Sequence, residues 1–227
     1  MPFSSERWAS SDVVPRTKTE ATVNMIKDAI YSGHYKAGSK LSQTEVAKEL
    51  GHSPTPVREA FRILLAQGLL RQRAHHSVEV TKPDLAELRD LYHVRALLEA
   101  DAVQLAARQL TAGALARLAE AYRTMERALA EGRRAEIRAA DEFFHGFLYE
   151  QCNNPTLIDL ISQLWGRFPR HMLWAAPGRM AQSVQEHAAL LQALQARRGD
   201  QAAEVIRRHL QNALASLELT LAEPRSY

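Results

Sequence analysis

Along the first third of the chain, apolar residues recur at helical spacing in short, interrupted runs. In TEATVNMIKDAIYSG, Val23, Ile26 and Ile30 fall on one face and Gly33 closes the segment. In AGSKLSQTEVAKELG, Ser42 stands where a helix N-cap belongs, Glu45 follows three residues later as in a capping box, and Gly51 stops the helix. SPTPVREAFRILLAQG opens on Ser53 as a cap and Pro54 at the first helical position, turns Val57, Phe61, Leu64 and Leu65 inward, and ends at Gly68. LLRQR and SVEVT, joined by AHH, have strand texture. Three short helices and a hairpin predict a winged helix-turn-helix over 18–82, after a polar, aperiodic tail at 1–17.

Beyond TKP the texture changes. Ala and Leu dominate, strand-like stretches vanish, and the period is helical throughout. Six segments are expected, at about 83–109, 112–131, 134–152, 155–173, 178–197 and 200–222. Gly113, Gly132, Asn153-Asn154-Pro155, Pro177-Gly178 and Gly199-Asp200 fall at or near the breaks. None is apolar all round, so each buries one stripe against its neighbours. The fold class is mainly α, a winged helix-turn-helix followed by an all-α antiparallel bundle at 83–222.

Polar residues interrupt those stripes. Ile137, Asp141, Phe144, His145, Leu148 and Cys152 share one face; so do Val184, His187, Leu191 and Leu194, and likewise Ala202, Ile206, His209 and Ala213. His187 and His209 lie symmetrically about the turn at Gly199-Asp200, so an antiparallel pair folded there sets their rings at one height. Burying a polar group without a partner costs roughly a few kcal/mol. A divalent transition metal satisfies Asp141, His145, His187 and His209 together, because neutral imidazole and carboxylate are ordinary ligands. Two plainer readings stay open: a core histidine with a backbone partner, and an Asp–His hydrogen bond. Arg95 shares an inward stripe with Leu88, Tyr92 and Ala102, and its plainer reading is an ion pair with Glu99 one turn on. His93 and His171 read as surface or packing groups, Trp165 and Trp174 as core or pocket wall.

Composition sharpens this picture in few places. The 227 residues carry a net charge of +3, unevenly spread: residues 1–82 hold 12 Lys and Arg against 8 Asp and Glu, the rest 17 against 18. The basic excess sits on the segment a polyanion would meet. One cysteine builds no disulfide framework. With no apolar run of 18 residues and no apolar centre near the N-terminus, a cytoplasmic protein without a membrane span is expected. The chain has no Gly-rich phosphate loop, zinc-finger Cys spacing or nucleophile elbow, so an enzyme is not expected.

In a winged helix-turn-helix the third helix offers its N-terminal end to the major groove. Thr55 and Arg58 lie there, Thr44 can donate to a phosphate, and His75 and His76 form the wing tip between Arg71 and Arg73. The plainer reading is a packing module with a solvated face. GHYKAGSKLSQTEVAKELGHSPTPVREAFRILLAQGLL resembles the GntR family of bacterial transcription regulators, through the Ala37-Gly38 turn, Leu41, Ala47, Leu50-Gly51, TPVREA and GLL, over about 19–82. The resemblance implies that Thr55 and Arg58 contact an operator. Pro54 stands where the family usually has Arg, and Ser77 where it has a wing glycine, so the operator sequence does not carry over.

DLYHVRALLEADAVQLAA, DEFFHGFL, EHAALLQAL followed by GD, and RRHL resemble the FCD effector domain of one GntR branch, over about 85–222. That resemblance implies a metal held by Asp141, His145, His187 and His209, with zinc ahead of nickel and manganese, and Arg95 in the pocket. Three imidazoles and one carboxylate leave an octahedral ion open to a small organic acid. The expected protein is a homodimeric, ligand-responsive transcription regulator, in the usual case a repressor. Its rivals are a metal-dependent hydrolase or oxygenase carrying an accessory DNA-binding domain, and a regulator whose bundle only dimerises.

Overall fold

A computed structural model describes residues 17–31, 34–73, 77–81, 84–166, 173–174 and 176–222. The chain divides into two compact units, one holding the described residues up to Asp84 and the other those from Leu85 to Trp165 and onward from 173.

In the first unit, helix α1 (Lys18–Tyr31) is followed by strand β1 (Lys40–Leu41), helices α2 (Gln43–Leu50) and α3 (Pro54–Ala66), and strands β2 (Leu70–Gln72) and β3 (Val78–Val80). Val23, Ile26, Val46, Val57, Ala60, Phe61, Leu64, Leu70 and Val80 make one apolar core, so each helix buries the stripe its periodicity marks. Ser42 caps α2 by accepting from the Glu45 backbone N–H, and Gly51 ends it in the left-handed region at φ 65°. Ser53 occupies the N-cap position of α3 yet makes no side-chain capping bond, which corrects the expectation. The third residue of this helix is Pro56, which has no N–H to offer the hydroxyl.

The sheet has three strands in the order β1-β3-β2, both pairs antiparallel, with Lys40 and Arg71 each opposite Glu79. The hairpin pairing was expected; β1 was not. Two residues are too short to display alternation, and only the edge of β3 defines them as a strand. The tail 1–17 lies outside the described residues except for Thr17, as do Gly33, His75, His76 and His171.

The second unit is helical: α4 (Leu85–Gln109), α5 (Ala112–Ala130), α6 (Arg134–Glu150), α7 (Pro155–Gly166), α8 (Arg179–Gln195) and α9 (Gly199–Ala222). Helix α4 lies along α9, α5 along α6, and α8 against both α5 and α9, while α6 also touches α4. The core is rich in alanine (Ala100, Ala106, Ala107, Ala121, Ala193, Ala203), and these small side chains let helix axes approach closely. At Gly199 a Cβ would meet the Gln104 backbone oxygen at 3.4 Å, so α9 starts hard against α4. The breaks fall within about two residues of expectation, except that α7 ends at Gly166 where a helix to 173 was expected; residues 167–172 lie outside the described set. No helix among the described residues is long and apolar enough to cross a membrane.

Candidate functional site

Each polar interruption of the bundle's stripes is buried: Asp141, His145, His187, His209 and Arg95 all lie below a tenth exposed. Asp141 and His145 stand one turn apart on α6, and His187 reaches them from α8. The donor atoms of these three converge. His145 Nε2 lies 3.0 Å from His187 Nε2, and Asp141 Oδ1 lies 3.4 Å from His187 Nε2 and 3.9 Å from His145 Nε2. His209, on α9, is outside this three-residue group, but its ring centroid is 5.0 Å from that of His145 and 5.2 Å from that of His187. The antiparallel pairing of α8 with α9 thus brings His187 and His209 to one height, as their spacing about the turn predicts, with the rings nearly perpendicular at 86°.

The far nitrogen of each ring decides which proton it carries. His187 Nδ1 is 2.7 Å from the Ser183 carbonyl oxygen, an acceptor only, so it donates. Tyr149 donates its one hydroxyl proton to Glu99 Oε2 at 2.5 Å, and His145 Nδ1, 3.1 Å from the phenol oxygen, donates to that oxygen. His209 Nδ1 lies 2.7 Å from Glu186 Oε2 and 3.3 Å from Arg179 Nη2. One nitrogen cannot donate to the first and accept from the second; the shorter contact, to a carboxylate, decides, and Arg179 Nη2 also faces the His209 backbone oxygen. Burial, followed by His187, Arg179 and Arg95, holds His209 well below the ordinary imidazole range, so it donates as a neutral ring. In a neutral ring whose Nδ1 carries the hydrogen, Nε2 carries the lone pair.

That arrangement places the Nε2 lone pairs of His145 and His187 against each other at 3.0 Å beside a carboxylate oxygen. Lone pairs so placed repel unless a proton or cation lies between them. Separations of about 3 Å are also those between neighbouring ligands of a first-row ion with bonds of about 2.0–2.2 Å. The donor set is borderline-hard N and O, right for zinc and its neighbours, and carbonyl, phenol and carboxylate acceptors behind the imidazoles are the partners that orient metal-binding histidines. The residues fit a divalent transition ion.

Around the cluster lie side chains that sequence reading passed over. Ser183 donates to Asp141 Oδ1 at 3.3 Å. Glu186 also accepts from Arg179 and, at 2.7 Å, from Asn212. Arg95 forms an ion pair with Glu99 (Nε to Oε1, 2.7 Å), and Trp165 Nε1 donates to the same oxygen at 3.0 Å. The plainer reading of Arg95 is therefore realised. Burial alone would lower the Arg95 pKa; the Glu99 carboxylate more than offsets this and the net direction is up. Burial, with Glu99 beside it, also raises the Tyr149 phenol well above its usual range. A signal existed: Tyr149 lies four residues after His145, and Ser183 and Arg179 lie four and eight before His187, extending each polar stripe by one or two turns. Trp174 is buried and His93 exposed.

The winged unit places its candidate groups on the surface. Thr44, Thr55 and Arg58 are exposed. Among the described residues, Arg58 and Arg62, with side chains 63% and 75% exposed, form loose ion pairs of 4.0 and 3.7 Å with Glu59. Exposed pairs like these are worth little, so the guanidiniums are available to another anion. Arg73 is held by Glu79 at 2.7 Å.

Two family models match the chain: the FCD domain over residues 90–212, and bacterial regulatory proteins, gntR family, over 18–80. The HTH-type transcriptional regulator McbR of Escherichia coli is 31% identical over 178 residues, 77% of this chain and 80% of McbR. A probable D-xylose utilization operon transcriptional repressor of Paenarthrobacter nicotinovorans is 32% identical over 151 residues, 66% of each chain. The solved structure of E. coli McbR/YncC superposes with a TM-score of 0.73 at 28% identity, covering 90% of this chain and 99% of that one.

Proposed function

The chain belongs to the gntR family of bacterial regulatory proteins, in the branch with an FCD domain, and from that premise we propose that it is a repressor whose operator binding responds to a small carboxylate metabolite at a metal site in the helical unit. It is a transcription regulator and not an enzyme. The observation that carries the metal reading is the approach of His145 Nε2 to His187 Nε2, 3.0 Å apart beside Asp141. Asp141, His145 and His187 hold the ion and His209 is the fourth donor, its Nδ1 committed to Glu186. Zinc suits this N3O set best, ahead of nickel and manganese.

When bound, the ion supplies a positive charge with open coordination positions for a carboxylate. Arg95 orients that carboxylate through its guanidinium, which must first release or share Glu99. On the winged unit, Arg58 and Thr55 meet base edges and phosphates, and Thr44 donates to a phosphate. A homodimer presents two such units to a pseudo-palindromic site. The metabolite acts by binding DNA-competent and DNA-incompetent states with different affinity.

The test is elemental analysis of protein prepared without added metal, followed by Zn2+ titration against a chromophoric chelator and operator binding with and without that chelator. One ion per chain, absent from the His145→Ala/His187→Ala variant, is expected. Full occupancy in that variant places the ligands elsewhere, and operator binding indifferent to both metal and small acids reduces the bundle to dimerisation.

A further inference from the structure

Four side chains form an unbroken hydrogen-bonded line from the surroundings of the proposed metabolite to a proposed metal ligand. Arg95 Nε donates to Glu99 Oε1 at 2.7 Å, Tyr149 donates to Glu99 Oε2 at 2.5 Å, and the phenol oxygen faces His145 Nδ1 at 3.1 Å. All four residues are buried. The line joins α4 to α6, so it is a tertiary arrangement and not a ladder along one helix.

The chemistry of this line has a direction. Glu99 spreads its charge over donors on both oxygens, with Arg95 and Trp165 on one and Tyr149 on the other. An anionic ligand that draws the Arg95 guanidinium away leaves more of that charge facing Tyr149. The phenol is then polarised toward Glu99, its oxygen becomes a better acceptor, and the imidazole Nδ1–H is held more strongly. An imidazole whose Nδ1–H is so held is a more basic donor at Nε2.

Resting on the metal and effector reading above, we propose that Glu99 and Tyr149 are positioning residues that couple the state of Arg95 to the donor strength of His145. Anion binding at Arg95 then tightens the grip on the ion, and by linkage the ion tightens the grip on the anion to the same degree. Nothing moves far; a shared carboxylate is redistributed between two donors.

The test is a double-mutant cycle on the full chain, read as Zn2+ affinity by competition with a chromophoric chelator. Tyr149→Phe removes one hydroxyl without changing charge and weakens zinc about 10- to 100-fold, the range for a partner behind a metal-bound histidine. Arg95→Gln, which mimics withdrawal of the guanidinium, tightens zinc roughly three- to tenfold with Tyr149 present. In the Tyr149→Phe background the same Arg95 change has less than about a twofold effect. A purely coulombic influence of Arg95 would be equal in both backgrounds, and that result overturns the relay. Tyr122→Phe, whose phenol contacts Glu126 on the exposed side of α5, leaves zinc affinity unchanged. Nitrogen-15 spectra of His145 in zinc-free wild type serve independently of any variant: the Nδ1–H tautomer supports the relay and the Nε2–H tautomer overturns it. Wild type that takes up no zinc sinks the metal reading and the proposal together, whereas zinc held equally by wild type and folded Tyr149→Phe sinks the relay alone.

Discussion

The two units place polar chemistry on opposite sides of the same helical period. In the winged unit the inward stripe of α3 is apolar, with Val57, Ala60, Phe61 and Leu64 buried, and Arg58 and Arg62 project outward. In the bundle the inward stripe itself is polar: α6 buries Asp141 and His145 between Ile137 and Leu148. An exposed basic surface can be changed without touching what folds it. A buried polar cluster cannot, because each of its members is also part of the core.

This contrast can be broken in four measurements. The largest effect is expected at Phe61, wholly buried on the inward side of α3: Phe61→Ala should cost about 3–5 kcal/mol in denaturant unfolding of the winged unit. In the bundle, zinc at about 100 times its dissociation constant should stabilise wild type by about 2.7 kcal/mol, and His187→Ala should abolish that increment. A bundle whose unfolding is indifferent to zinc would make the polar stripe a packing feature only. Next, Arg58→Ala should weaken operator binding by about 1–3 kcal/mol, measured at fixed moderate salt; unchanged affinity would remove α3 from the groove. The smallest effect is on folding: the same Arg58→Ala should move stability by no more than about 0.5 kcal/mol, and a larger loss would erase the difference between the two units.

Much of this architecture was legible along the chain, for reasons visible in particular residues. Helices α4 to α6, α8 and α9 begin and end within about two residues of the bounds expected from the helical period and its Gly, Asn and Pro breaks. The Thr111 cap on α5, which accepts from the Ala114 N–H, was not singled out. The polar stripe on α6 was readable because Asp141 and His145 break an otherwise apolar face. Strand β1 was not readable, since two residues carry no alternation and their partner lies some 38 positions on. The Ser53 cap is not formed, and Pro56 removes one of the two backbone donors a cap can use, so capping depends on the recipient as much as the cap.

Helical periodicity is a local property, so the sequence by itself determined which residues turn inward, including the improbable ones: Arg95, Asp141, His145, His187 and His209 are all buried as their stripes require. It also carried the exposed start of α3 and the helix-turn-helix order. Only the tertiary structure decided who meets whom. That Glu99 from α4 shares its carboxylate between Arg95, Trp165 from α7 and Tyr149 from α6 depends on helix packing, as does the 3.0 Å approach of His145 to His187. Each helix dictates a direction for its side chains. The distances between side chains on different helices follow from how alanine-rich faces close upon one another, and no local pattern contains them.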